Sequence, residues 1–140
     1  MCKIEDVIVF ILLAVCSVSD WKRKTIPALL LVVLSFAVAV IALSCDVVSL
    51  SLRAGGVFLG LLFLFVSKVT KEAIGYGDSW LILLLGIFIG GKMIMEIVFM
   101  ASFLAALFSL GYGLLRGWNR KNTLPFVPFL AMAYVGVVLL

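Results

Sequence analysis

Charged residues divide the chain into six apolar stretches. Residues 7–19, 25–45, 54–67, 79–91, 97–115 and 122–140 contain no Asp, Glu, Lys or Arg. A helix needs roughly 20 predominantly apolar residues to cross a bilayer, with a range of ~17–25. The second, fifth and sixth stretches meet that unaided. The first reaches it by running from Ile4 through Asp20. The third does so from Val47, if Arg53 carries its charge up to the headgroups. The fourth does so from Gly77, past Lys92, to Met95. The pattern predicts an all-α polytopic membrane protein with six transmembrane helices, forming a single domain over residues 1–140. Five spans, with the third or fourth stretch re-entrant, is the alternative.

The connections alternate in charge. Lys22, Arg23 and Lys24 follow the first helix, Lys68 and Lys71 the third, and Arg116, Arg120 and Lys121 the fifth. The other side holds Lys3, Arg53 and Lys92. Basic residues collect on the cytoplasmic side of membrane helices, so the chain is expected to be multi-pass with its N-terminus outside. Trp21, Trp80 and Trp118 then fall beside cytoplasmic helix ends, where interfacial aromatics belong. Gly56 and Gly60, Gly86 and Gly90, and Gly113 and Gly117 stand at GxxxG spacing, which lets helix backbones approach closely in lipid.

Composition narrows the chemistry. Hydrophobic residues make up 66% of the chain and charged residues 13%, against about 25% charged in ordinary globular chains. The mean hydropathy is +1.36. Histidine is absent, which excludes Ser-His-Asp and Cys-His nucleophile systems and HExxH zinc sites. Cys2, Cys16 and Cys45 form no CxxC pair, so neither a metal nor a cofactor is expected. The net charge of +4 is explained by the cytoplasmic loops, and nucleic acid is not an expected partner. The lipid bilayer is.

Seven carboxylates remain. Glu5, Asp6, Asp46 and Glu72 fall at helix ends or in loops, where solvation explains them. Glu96 stands four residues after Lys92, the spacing of a surface ion pair. Asp20 and Asp78 differ, although each taken alone also suits an interfacial helix cap. Asp20 ends the first helix and Asp78 begins the fourth, directly after Gly75-Tyr76-Gly77, so both fall at one membrane depth. The glycines are expected to allow a backbone turn that other residues resist. Two carboxyls a few Å apart do not both ionise cheaply. They hold one proton between them and suit acid–base hydrolysis of a peptide.

At these residues the chain resembles a known family. Gly75-Tyr76-Gly77-Asp78 matches the GxGD signature of membrane aspartyl proteases. Ser19-Asp20-Trp21-Lys22-Arg23-Lys24-Thr25-Ile26-Pro27 resembles the first-aspartate region of type IV prepilin peptidases. Leu124-Pro125-Phe126-Val127-Pro128-Phe129-Leu130-Ala131 resembles their last-helix run, Ile-Pro-Phe-Gly-Pro-Phe-Leu-Ala. The resemblance implies a six-helix GxGD bundle in a prokaryotic cytoplasmic (inner) membrane. It implies an aspartyl endopeptidase that removes the basic leader from prepilin-like protein substrates at the cytoplasmic face. Asp20 and Asp78 take the catalytic roles, while Gly75, Tyr76 and Gly77 position the substrate. Ala28, Trp80 and Val127 depart from the family pattern. The chain resembles the minimal peptidase core, without the CxxC domain that larger members link to N-methylation. A small ion-coupled transporter and a non-catalytic membrane scaffold of a secretion or pilus machine are the rival readings.

Overall fold

The computed structural model describes residues 3–23, 28–44, 49–71, 75–117 and 124–139. All regular structure in them is helical: α1 (Lys3–Arg23), α2 (Ala28–Ser44), α3 (Leu50–Val69), α4 (Tyr76–Ile89), α5 (Gly91–Arg116) and α6 (Val127–Leu139). Lys24 to Pro27, Asp46, Glu72, Trp118, Arg120 and Lys121 lie outside the described residues. Two helices, α3 and α5, are long and apolar enough to cross a membrane. α2, α4 and α6 are apolar but shorter. α1 has 21 residues and carries charged residues at both ends.

The antiparallel α3–α4 pair lies at the centre. Gly56 of α3 meets Gly86 of α4, backbone against backbone, and Gly60 receives Leu83. A Cβ built at Gly86 would lie 2.6 Å from the Gly56 carbonyl oxygen, so no larger residue fits there without parting the helices. Three of the glycines expected from spacing, Gly56, Gly60 and Gly86, thus contribute to one helix crossing. α5 packs on this pair, α6 on α5, α1 on α6 and α2 on α4. α4 is buried on nearly all sides, through Ser79, Leu81–Gly86 and Ile89. Its all-round apolar sequence follows from that position.

The fourth helix is shorter than expected. It stops at Ile89, and Lys92 and Glu96 belong to α5. Gly90 takes φ 94°, a backbone conformation that glycine alone adopts freely. Its N–H still bonds to the Gly86 carbonyl at 3.0 Å, while the Ile94 N–H bonds back to Gly90 at 3.1 Å. Gly91 presses on the Gly55 and Gly56 backbone, which holds the corner in place. Lys92 and Glu96 are both exposed and form no ion pair with each other.

The core and the outer surface are both apolar. Val9 and Leu13 of α1 pack with Ile82, Leu85 and Ile89 of α4, with Ile94, Ile97 and Ala101 of α5 and with Leu130 and Ala133 of α6. Outside, Phe36, Phe58, Phe65 and Phe99 are 67–75% exposed. Exposed large apolar side chains recur on all six helices, which fits a surface that faces lipid.

Candidate active site

Asp20 occupies the last turn of α1 and is 6% exposed. Cys16, one turn earlier, is fully buried against Leu34, Leu81, Leu84 and Val127. The Val127 backbone N–H, at the start of α6, donates to Asp20 Oδ2 at 3.4 Å. The first and third sequence motifs, more than a hundred residues apart, therefore touch through one hydrogen bond.

Asp78 lies in the first turn of α4 and is half-buried. Acidic groups are favoured at that end of a helix. Its neighbour Ser79 is fully buried. The Ser79 N–H bonds to the Gly75 carbonyl at 3.2 Å. Its hydroxyl proton is shared between the Gly75 carbonyl at 3.3 Å and the Phe63 carbonyl of α3 at 3.4 Å. Ser79 thereby anchors the start of α4 to α3. Sequence reasoning passed over it; the available signal was a lone hydroxyl beside Asp78 at the head of an apolar run.

The glycines beside Asp78 act differently from the expectation. Gly75 has φ −56° and ψ 135°, a conformation open to any residue. Gly77 lies inside α4. Neither supplies a special turn. Gly75 supplies room, because a Cβ there would lie 3.3 Å from Asp78 Oδ2, tighter than ordinary contact. Tyr76 is 41% exposed at the helix start.

The end of α1 and the starts of α4 and α6 thus gather at one end of the bundle. Cys16, one turn before Asp20, packs with Leu81, one turn after Asp78, and no hydrogen bond joins the two carboxyls. α1 and α4 meet through side chains, while their backbones keep apart: α1 packs closely on α6, and α4 on α3. A small apolar cavity of about 20 Å³ is lined by side chains of α1, α2 and α4. Among the described residues, acidic and cysteine side chains do not cluster in the number a metal ion needs.

The model of the type IV leader peptidase family matches residues 7–110, a range that contains both aspartates. Over 63 residues the chain is 36% identical to a prepilin leader peptidase/N-methyltransferase of Aeromonas salmonicida (strain A449). It is 35% identical, over the same length, to the protein of that name from Aeromonas hydrophila. Each match covers 45% of this chain and only 22% of the relative. No solved structure matches. With most of its length, α1 through most of α5, matched by the family model, the chain belongs to the type IV leader peptidase family.

Proposed function

We propose that the protein is an aspartyl endopeptidase of a prokaryotic cytoplasmic membrane, cutting the basic leader from prepilin-like precursors at the cytoplasmic face. One observation carries this reading. Cys16, one turn before Asp20, and Leu81, one turn after Asp78, pack in one buried cluster with Val127, so the two aspartates, remote in sequence, belong to the same end of the bundle. In the ground state the pair holds one proton, and it titrates as a unit. The ionised carboxyl takes a proton from water as the water attacks the scissile carbonyl. The protonated carboxyl donates to the carbonyl oxygen. Gly75, Tyr76 and Gly77 line the approach to Asp78 and position the peptide.

Family membership and the apolar exterior support a membrane protein, and the basic residues of alternate connections support six spans with the N-terminus outside. In this arrangement α4, at 14 residues, is only about 20 Å long and falls short of a ~30 Å hydrocarbon core. The apolar stem of a prepilin would remain in lipid, with its basic leader in the cytoplasm beside the carboxyls.

The test is co-expression with a prepilin and measurement of leader removal by mass. Asp20→Asn and Asp78→Asn should each lower cleavage by at least about 1,000-fold, because groups acting as one unit fail together. Membrane insertion should be unchanged. Cleavage persisting in either variant would overturn the reading and leave the transporter or scaffold alternatives.

A further inference from the structure

The opening turn of α6 leaves a single amide available. The first four N–H groups of a helix lack helical partners. Here the Phe129 and Leu130 N–H groups both bond to the Phe126 carbonyl, at 3.0 and 3.1 Å. Pro128 has no N–H to offer. The remaining donor is Val127, and its N–H points at Asp20 Oδ2.

Burial makes this bond consequential. The Val127 side chain is fully buried among Cys16, Leu34, Leu81 and Leu84, and Asp20 is almost as deep. A buried amide left without an acceptor is costly. Among the described residues Asp20 has no other hydrogen-bond donor. Asp20 also sits at the carbonyl end of α1, where negative charge is disfavoured, and the amino end of α6 offsets that.

We propose that the Val127 backbone N–H, left as the one free donor of the α6 opening by Pro128, is the positioning group that orients Asp20 toward Asp78. This inference rests on the peptidase reading. The bond engages Oδ2 and leaves Oδ1 for water or the substrate. Pro128 withholds the adjacent amide that would otherwise compete for the same carboxylate. The function of the Pro-x-x-Pro segment is therefore to present a main-chain donor, and its side chains serve to bury that donor.

Two measurements test the proposal, one by turnover and one without it. Val127→Pro removes the N–H at the first position of α6, where helices tolerate proline. Its kcat for leader removal should fall by roughly 10–100-fold with KM unchanged within about twofold, as expected for a misaligned carboxyl. Val127→Ala, which keeps the N–H, should rescue most of kcat. Equal loss in both variants, or a rise in KM alone, would overturn the proposal. The second measurement is hydrogen exchange at the Val127 amide in the parent and in Asp20→Ala, which needs neither catalysis nor a foldable proline variant. Exchange should quicken by about tenfold or more once the acceptor is gone. An unchanged rate would refute the contact. A parent that cleaves no prepilin, yet shows the exchange response, would refute the peptidase reading alone.

Discussion

Gly75 shows how one missing carbon shapes a site. Its backbone could be that of any residue, so replacement by Ala costs the fold little. The added Cβ, however, would stand 3.3 Å from Asp78 Oδ2 and push the carboxyl aside. Gly75→Ala should therefore keep its thermal midpoint and lose about tenfold in kcat, since small misplacements are costly in catalysis. Parallel melting and turnover measurements check this. A lowered midpoint with kcat intact would assign Gly75 to folding. Tyr134 shows the opposite case. It is buried, and its hydroxyl donates to Asp6 Oδ1 at 3.3 Å, far from Asp20 along α1. Tyr134→Phe should cost about 1 kcal/mol of stability in detergent and leave turnover near that of the parent.

At the scale of elements, the α3–α4 crossing decides where Asp78 stands. Gly56 and Gly86 touch through their backbones, and neither neighbour is a flexible side chain that could yield. Gly86→Ala should cost about 1–3 kcal/mol by overpacking. Gly55→Ala is the contrast. Its Cβ would meet only the Gly91 Cα, at 3.6 Å, which is ordinary contact. Thermal unfolding of the two variants side by side should show the loss only for Gly86. Equal midpoints would mean that the crossing relaxes freely. The same spacing rule misjudged Gly90. It stands four residues after Gly86, yet it serves to end α4 and turn the chain into α5.

For the whole molecule, the arrangement proposed here fixes sidedness. In a variant with its own cysteines replaced, Ser49→Cys should react with an impermeant thiol reagent added outside cells. Thr70→Cys should react only after the cells are opened. Both positions are exposed at opposite ends of α3. The reverse labelling would place the carboxyls at the outer face and exclude cleavage of a cytoplasmic leader.

How much was legible beforehand follows from the range of each interaction. Apolar runs broken by charges are a local property, and burial of backbone polar groups within helices is a local requirement, so the number and order of the helices could be read from the chain. That Asp20 falls at the end of α1 and Asp78 at the start of α4 was legible for a related reason: a charge bounds an apolar run and stands out. The α4–α5 corner was not, because a glycine that lets helices touch and one that adopts positive φ look alike in sequence. Nor was the use of Gly75 as room for a carboxyl, the anchoring of α4 by Ser79, or the link from Val127 to Asp20. Each depends on which atoms of distant segments arrive within about 3.5 Å of one another, and packing of the assembled helices alone decides that.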